Sequence, residues 1–379
     1  MDESINIRIL GDICPSRRYC SFFDDNSSRE IFGRIFDELH AADVVIANLE
    51  APISGRGSPI KKCGACLRGK PEDAKLLREA NISALSLANN HILDYGPEAL
   101  KDTIHISSEN HIATFGAGDT IDSARRPLFF HCKKYVIGVI AFCEEEFSAA
   151  YSDRSGANLF DPYVSITDIY EAKKRCDCLI VLYHGGIENY EFPSPLLQKK
   201  CHKMVDAGVD VILCQHSHCI GTRERYKGAE ILYGQGNALF GRMENDSAWN
   251  RGLLANINIS QDGVQVSYRL FEATNSGIEY VCRKDEERFF SDMEQRSEVL
   301  AEPASIRKLW IDFCNGQRAE YFPALYGFGR VWNKINRVLN NALIRLLISR
   351  KKQRTTMNLI RCDAHREVVQ TILEETQKK

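Results

Sequence analysis

The chain has 379 residues, 44% of them hydrophobic and 26% charged, a composition typical of a globular protein with a core large enough for two units. The formal net charge of −2 gives no general attraction to nucleic acid, and no window approaches the roughly 20 apolar residues of a membrane-spanning helix. The N-terminal residues MDESINIRIL lack the basic and apolar regions of a signal peptide, so we expect a cytoplasmic protein with reduced cysteines.

Apolar runs of strand length alternate with segments of helical spacing along the first 220 residues. The predicted strands are 5–13, 43–50, 82–89, 136–143, 178–184 and 209–216. The predicted helices are 30–42, 71–80, 97–110, 165–176 with Ser165 as its cap, and 196–207. This alternation indicates an α/β core with mostly parallel strands.

The pattern changes near Ala229, where strand-like runs follow one another across short connections that contain glycine. We predict strands over 231–240, 252–260 and 263–271, and the turn Gln261-Asp262-Gly263 joins the last two as an antiparallel hairpin. From residue 283 the strand patterns vanish and charged helical segments follow. We therefore predict an α/β domain over 1–282 and a helical extension over 283–379.

The extension contains a basic amphipathic segment over 330–354. Apolar residues recur there at helical spacing, and the surrounding stretch 321–362 has no acidic residue. One interpretation is a helix that packs its apolar stripe on the main domain and exposes its basic face to water. The other is a helix that lies on the anionic inner surface of the membrane or docks a membrane enzyme. The segment is too interrupted to span a bilayer.

Four histidines and two acids follow strand-like runs, among turn residues. They are His91, His184, His216, His218, Asp12 and Glu50. Loops beyond strand ends are exposed yet held by a rigid sheet, which is where α/β proteins place their chemistry. On an extended strand end, His216 and His218 would present both imidazoles on one side. Imidazole and oxygen donors from separate strands predict a metal site and not a serine or cysteine triad.

Cys63 and Cys66 form a Cys-x-x-Cys pair. A structural zinc site usually needs two such pairs at a suitable distance, so ordinary unpaired thiols are favoured here. A redox or zinc role for the two cysteines is the alternative.

Six motifs, in this order, resemble those of the CapA/PgsA family of capsule and poly-γ-glutamate synthesis proteins, which is itself similar to the calcineurin-like metallophosphatases. The motifs are Gly11-Asp12, Asn48-Leu49-Glu50, Ala88-Asn89-Asn90-His91 with Asp94-Tyr95-Gly96, His184-Gly185-Gly186-Ile187-Glu188, His216-Ser217-His218 and Tyr233-Gly234-Gln235-Gly236-Asn237. The resemblance covers residues 5–272. Each motif is weak alone, and the ordered set is specific.

The resemblance implies a four-layer αββα metallophosphatase-like sandwich with a metal site at one rim. The implied metal ligands are Asp12, Glu50, Asn90, His184, His216 and His218. They would hold one or two divalent ions of Mn, Fe, Zn or Mg, and two such ions about 4 Å apart stabilise an in-line displacement. The implied catalytic residues are His91, which protonates a leaving group or holds an anionic oxygen, and Glu188.

Five positions depart from the family pattern: Cys14, Gly185, Gln215, Gln235 and Ala238. Metallophosphatases usually open with Asp-x-His, and Cys14 occupies the third position here, as a thiolate ligand or as part of the pocket wall. Gln215 stands where many relatives have a further histidine, and Gln235 changes the last motif. These departures make a second metal ion less secure than the first.

The leading hypothesis is therefore a CapA-type metal-dependent hydrolase-like protein acting in capsule, polyglutamate, exopolysaccharide or other cell-envelope polymer biosynthesis. An activated water would attack a phosphoester or an amide-type bond in an anionic polymer or its precursor. The alternative is a non-catalytic metal-binding partner in polymer synthesis or export. A third interpretation is a single-metal phosphodiesterase acting on nucleotides.

Overall fold

The computed structural model describes residues 4–327, 329–339 and 342–377. Two compact units are present, Met1–Ile306 and Arg307–Lys379. The first unit carries every strand of the described residues and all of the predicted site residues.

The strands of the first unit form two large sheets and one small one. In chain order they are β1 (Ile5–Ile13), β2 (Val44–Leu49), β3 (Ala84–Ser86), β4 (Ala113–Phe115), β5 (Ala117–Gly118), β6 (Leu128–Cys132), β7 (Tyr135–Cys143), β8 (Gly156–Ala157), β9 (Cys178–His184), β10 (Val211–Gln215), β11 (Arg223–Tyr226), β12 (Ala229–Leu232), β13 (Asn237–Leu239), β14 (Arg251–Ser260), β15 (Gly263–Ala273) and β16 (Ile278–Tyr280).

The helices fall into two groups along the chain. Those before the last strand are α1 (Ser28–Phe32), α2 (Ile35–His40), α3 (Asp73–Glu79), α4 (Gly96–Glu109), α5 (Ile121–Ala124), α6 (Ser165–Lys173) and α7 (Pro195–Asp206). Those after it are α8 (Arg283–Ser297), α9 (Pro303–Gly316), α10 (Arg318–Leu325), α11 (Arg330–Val338), α12 (Ala342–Leu347), α13 (Arg350–Arg361) and α14 (Asp363–Gln377).

The first large sheet has the order β16-β15-β14-β1-β2-β3-β4, and β13 pairs with the end of β1. Strands β1 to β4 are parallel, whereas β14, β15 and β16 are antiparallel. The second sheet has the order β11-β12-β10-β9-β7-β6 and is parallel except at its two edge strands. The carboxyl ends of the parallel strands therefore lie at one edge of each sheet.

The two sheets pack face to face with helices outside, which confirms the predicted αββα sandwich and the helical C-terminal region. Side chains alternate along β9: Cys178, Ile180 and Leu182 belong to a core shared with the first sheet, whereas Leu179 and Val181 belong to a separate core with α6 and α7. The apolar faces of α1, α2, α3 and α4 join the shared core. Alternation of this kind is the expected pattern for a sheet buried on both faces.

Most predicted elements are present within a few residues, and three expectations about them are wrong. The expected helix 30–42 is two helices, because Gly33 adopts a φ of 52° between α1 and α2. The expected strand 231–240 is β12 and β13 in different sheets, separated at Gly236 with a φ of 74°. Ser165 is the first residue of α6 and not its cap, and its Oγ accepts a hydrogen bond from the Asp161 N–H.

The boundary between the two units lies further along the chain than the change in composition at residue 283. Helix α8 belongs to the first unit: its Met293 side chain is buried, and Arg223 of β11 donates hydrogen bonds to Glu294 of α8. Leu300 and Ile306 are buried in the same core as α6 and α7. Contacts of this kind extend the first unit to Ile306.

The basic segment 330–354 is divided among α11, α12 and the start of α13. The structure describes the side chains of Val331, Trp332 and Lys334 as exposed, whereas those of Arg330, Arg337, Leu343 and Arg345 lie outside the described set. In the parts of the chain that the structure describes, no helix is both long and apolar enough to cross a membrane.

Gly11 provides a test of the close approach between β1 and β13. A Cβ atom at Gly11 would lie 2.3 Å from the backbone oxygen of Gly236, so the strand would have to move. We expect Gly11→Ala to lower the free energy of unfolding by about 1–3 kcal/mol, the usual effect of overpacking a tight core. Gly55→Ala is the control, because nothing lies within 4 Å of a Cβ there. Equal melting temperatures for the two variants would contradict the close approach.

Candidate metal centre

The loops beyond the carboxyl ends of the strands in both sheets meet at one place. Asp12 lies near the end of β1 and His184 ends β9, whereas the other residues follow β2, β3 and β10. Two groups of ligand atoms result, each with all its atoms within 4.8 Å of one another. The groups are Glu50, His184 and His216, and Asp12, Glu50 and His218. Glu50 belongs to both groups, so it occupies the position of a shared ligand.

The carboxylate of Glu50 is completely buried, and neither of its oxygens has a hydrogen-bond partner among the described residues. Glu50 Oε1 lies 3.5 Å from His184 Nε2 and 3.9 Å from His218 Nε2. Burial, and next the charge of Asp12, raise the pKa of Glu50 well above its usual value. A buried carboxylate is costly without a cation or a donor, so this donor set fits a divalent metal ion.

Two of the histidines are held in the neutral form that binds metals. Burial lowers the pKa of His184 to about 4, and burial also lowers the pKa of His216 well below its usual value. His216 Nδ1 is buried with no hydrogen-bond partner in the described part of the chain. Because a neutral imidazole offers a lone pair, both rings are ready to bind a cation at neutral pH.

Asn90 joins this arrangement through its amide oxygen, which lies 3.1 Å from His184 Nε2. All six predicted ligands are therefore brought together, from five separate stretches of chain. An amide oxygen is a neutral ligand, which adds an oxygen donor without further negative charge.

A second ring of side chains, not predicted as site residues from the sequence, orients the ligands. Asn48 Nδ2 donates to Asp12 Oδ1 at 2.8 Å, and the His216 backbone N–H donates to Asp12 Oδ2 at 3.0 Å. Asn237 Oδ1 lies 2.9 Å from His218 Nδ1. Such partners fix the orientation of metal ligands. Both asparagines lie inside the quoted motifs, and that position is the only signal of them in the sequence.

The His-x-His segment does not have the extended geometry that we expected. Strand β10 ends at Gln215, and His216 and His218 adopt φ values of 88° and 52°. The two imidazoles reach the centre from a bend that follows the strand and not from alternation along it. Left-handed backbone is uncommon in residues other than glycine, and histidine is among the residues that adopt it more often than most.

An open cavity of 460 Å³ adjoins the ligands. Its walls include His91, Glu188, Asn90 and His218. Aromatic side chains form another part of the wall: Tyr19, Phe147, Phe240 and Trp249. The rings of Phe240 and Trp249 each lie 4.8 Å from the His218 ring, so they restrict its movement and its access to water. The cavity is the place from which a substrate would reach the ligands.

His91 is fixed on this wall by a buried acid. Its Nδ1 lies 2.6 Å from Asp94 Oδ2, and Asp94 is fully buried. Asp94 also accepts hydrogen bonds from the Leu67 backbone N–H and from Lys62 Nζ. With Nδ1 held by Asp94, the other ring nitrogen of His91 is the one left to contact a ligand in the cavity.

Three residues that depart from the family pattern, Cys14, Gln215 and Gln235, are buried and make contacts within the protein interior. Cys14 is buried in a small apolar cluster with Ala51 and Leu67, burial raises the pKa of its thiol, and it belongs to neither ligand group. Gln215 Nε2 donates to Gln235 Oε1, and Gln235 in turn donates to two backbone oxygens of the first sheet. Two departures thus form one buried pair between the sheets.

Cys63 and Cys66 lie in the loop beside the cavity, outside both ligand groups of the described residues. Cys63 is exposed and lines the cavity, whereas Cys66 is half-buried. A redox or zinc role for the pair stays a prediction.

Comparison with known proteins identifies the family. The family model "Bacterial capsule synthesis protein PGA_cap" matches residues 6–242, more than half of the chain. The chain therefore belongs to this family, as its motifs predicted.

Several curated relatives support the same assignment. The PGA biosynthesis protein CapA of Bacillus subtilis is 28% identical over 71% of this chain and 68% of its own length. The capsule biosynthesis protein CapA of Bacillus anthracis is 27% identical over 71% of this chain and 64% of its own length. A probable polyglutamine synthesis accessory protein of Mycobacterium tuberculosis is 32% identical over 53% of this chain and 57% of its own length. The match thus spans less than two thirds of the length of the last two relatives.

Solved structures similar to this chain are more distant. A hypothetical protein from Thermus thermophilus has a TM-score of 0.44 and 14% identity, and covers 71% of this chain and 100% of its own. A 5'-nucleotidase from Candida albicans has a TM-score of 0.39 and 11% identity, and the match covers 83% of this chain and 58% of the nucleotidase chain. The fold assignment rests on the strand order and layers described above.

Glu50→Gln tests whether the centre is built for a cation, because the change keeps the shape and removes the charge. In cation-free protein at pH 8, we expect the free energy of unfolding of the variant to exceed that of the wild type by about 1–3 kcal/mol. The reason is that a buried polar group without a partner, such as the Glu50 carboxylate, costs about that much. Mn²⁺ at 100 times its Kd should stabilise the wild type by about 2.7 kcal/mol and the variant by less. Glu79→Gln, on an exposed helical position, is the control.

The same comparison has an expected pH dependence. Because burial raises the pKa of Glu50 in the folded state, the wild type loses stability as the pH rises from the ordinary glutamate value through the folded value. The advantage of Glu50→Gln should therefore shrink as the pH falls toward 4. A cation-free variant that is less stable than the wild type at pH 8 would refute this account of the centre.

Proposed function

We propose that this member of the capsule synthesis protein family is a metal-dependent hydrolase-like protein acting in capsule, polyglutamate or other cell-envelope polymer biosynthesis. The observation that carries the proposal is the buried Glu50 carboxylate, which lacks a hydrogen-bond partner among the described residues and belongs to both ligand groups. Burying an unpaired carboxylate costs free energy, so an apolar or neutral side chain at this position would give a more stable fold.

The six residues that would hold one or two divalent cations are Asp12, Glu50, Asn90, His184, His216 and His218. Carboxylate, amide and imidazole donors suit Mn, Fe, Zn or Mg. A bound ion of this kind supplies Lewis-acid activation of water and stabilises negative charge during attack on a phosphoester or amide-type bond.

The protein's own contribution lies on the cavity wall. His91, oriented by Asp94, is placed to protonate a leaving group or to hold an anionic oxygen. Glu188 lines the same cavity, and its charge acts on Glu50. Glu188 would accept or hold a proton beside the reacting group. No covalent protein nucleophile is required.

The substrate class follows from the named functions of the relatives. The Bacillus proteins are named for PGA and capsule biosynthesis, and the Mycobacterium tuberculosis protein for polyglutamine synthesis. An anionic polymer, or a precursor of one, is therefore the proposed partner of the cavity.

Two substitutions separate metal binding from chemistry. We expect His184→Ala to lose both the bound metal, measured by elemental analysis, and all hydrolysis of a phosphoester and of a γ-glutamyl amide. His91→Gln should keep the metal and lower kcat by about 10²–10⁴-fold, the usual contribution of an acid or base. His105→Gln, on the exposed face of α4, is the control. Full hydrolysis by His184→Ala would exclude the proposed mechanism.

A non-catalytic role in polymer synthesis or export is the second candidate. It is favoured by Cys14, which belongs to neither ligand group although it occupies a usual ligand position. Stoichiometric metal and polymer binding without hydrolysis of either substrate would establish this role in place of the first. Hydrolysis of nucleotides alone would instead favour a phosphodiesterase.

We further propose that α11 to α13 bind the inner, anionic surface of the membrane, which would make the protein peripheral to it. Val331, Trp332, Val338 and Leu346 are exposed apolar side chains on α11 and α12. Exposed basic residues lie in the same stretch: Lys334, Arg350, Lys351 and Lys352. An exposed apolar surface with basic neighbours is the pattern of an interfacial helix, whose cations meet lipid phosphates.

Neutralising four cations tests this surface. We expect the combined change of Lys334, Arg350, Lys351 and Lys352 to Gln to weaken binding to phosphatidylserine vesicles by about 1000-fold at low salt, because each basic residue contributes about 1 kcal/mol. Vesicle sedimentation would measure it. The matched control changes four exposed basic residues elsewhere to Gln: Arg78, Lys199, Lys284 and Arg288. Equal binding by both quadruple variants would exclude the membrane role.

A further inference from the structure

Three consecutive glutamates follow β7, and they have different surroundings. Glu144 accepts hydrogen bonds from Lys200 Nζ and from the backbone N–H of Gly186. Glu145 accepts one from the Tyr151 hydroxyl. Glu146 alone of the three lines the cavity beside the ligand groups. This stretch lies outside the family motifs, and nothing in its sequence pattern marks it as part of a site.

One oxygen of Glu146 sets the orientation of a predicted ligand. Asn90 Nδ2 donates to Glu146 Oε2 at 3.1 Å. The two ends of a side-chain amide point in opposite directions, so holding the NH₂ group at Glu146 turns the Asn90 oxygen the other way. That oxygen lies 3.1 Å from His184 Nε2, on the side of the ligand groups. Without Glu146, the amide could rotate and present its NH₂ group, which repels a cation.

The other oxygen of Glu146 faces a second ligand. Glu146 Oε1 lies 3.9 Å from His216 Nε2. The Glu146 side chain is 37% exposed, so it reaches the centre from the open cavity. Its partners at the centre, Asn90 and His216, are buried. The carboxylate therefore adds a negative charge at the side of the centre that is open to solvent.

We propose that Glu146 is a positioning residue of the cation centre: it orients the amide oxygen of Asn90 and adds negative charge beside His216. This inference rests on the proposed metal binding and goes beyond it, because it concerns a residue outside the family motifs.

The test measures Mn²⁺ affinity directly, as free Mn²⁺ by electron paramagnetic resonance, on the full chain. We expect Glu146→Gln and Glu146→Ala each to weaken Mn²⁺ binding by about 10–100-fold, the usual effect of losing a residue that orients metal ligands. Glu145→Gln is the matched control, because it removes the same charge one residue away and should change the affinity less than about twofold. The melting temperature of the cation-free variants shows that all of them are folded.

The outcomes separate this inference from the proposed hydrolysis. Weaker Mn²⁺ binding in both Glu146 variants supports the inference whether or not any substrate is hydrolysed. Wild-type affinity in either Glu146 variant, or an equal loss in Glu145→Gln, overturns it while leaving the hydrolase proposal intact. If the wild type binds no Mn²⁺ and no other divalent ion, both proposals fail together.

Discussion

The burial of the Glu50 carboxylate is the constraint on which the site depends. Neither oxygen has a hydrogen-bond partner among the described residues, yet ligand atoms of three histidines and Asp12 lie around it. Such a group costs several kcal/mol of uncompensated desolvation unless a cation or a proton balances it. Burial favours the neutral form of the His184 and His216 imidazoles, and neutral imidazoles do not supply that charge. Burying this carboxylate is therefore costly if it serves packing alone, and its surroundings fit a bound cation.

The sandwich brings this arrangement about by aligning two sheet edges. Asp12 and Glu50 come from the carboxyl ends of strands in the first sheet, and His184 and His216 from those of the second. The register pairs Asp12 with Asn48, which orients it, and pairs His184 with Gln215, the last residue before the His-x-His segment. The chain also crosses between the sheets at Gly236, which places Asn237 beside both Asp12 and His218. Displacing one sheet against the other would separate all of these contacts.

The residues that depart from the family motifs lie in the protein interior and not on the cavity wall. Cys14 is part of an apolar cluster, and Gln215 Nε2 donates a hydrogen bond to Gln235 Oε1, so all three residues are accommodated within the protein core. The acids on the cavity side, Glu146 and Glu188, lie beyond the strand ends and line the open cavity. The proposed ligands thus lie at or just beyond the rigid strand ends, and the two acids lie on the loops that form the cavity wall.

The sequence by itself determined the fold class and most of the elements, and its resemblance to the family motifs led to the six proposed ligands. Strand and helix periodicity is a local property, and the ordered motifs mark strand ends, so both can be found without a structure. Tertiary structure alone decided the split of 231–240 between two sheets and the left-handed backbone of His216 and His218. It also decided that Asn48, Asn237 and Glu146 face the ligands. These features depend on contacts between residues far apart in the chain, and local periodicity carries no information about such contacts.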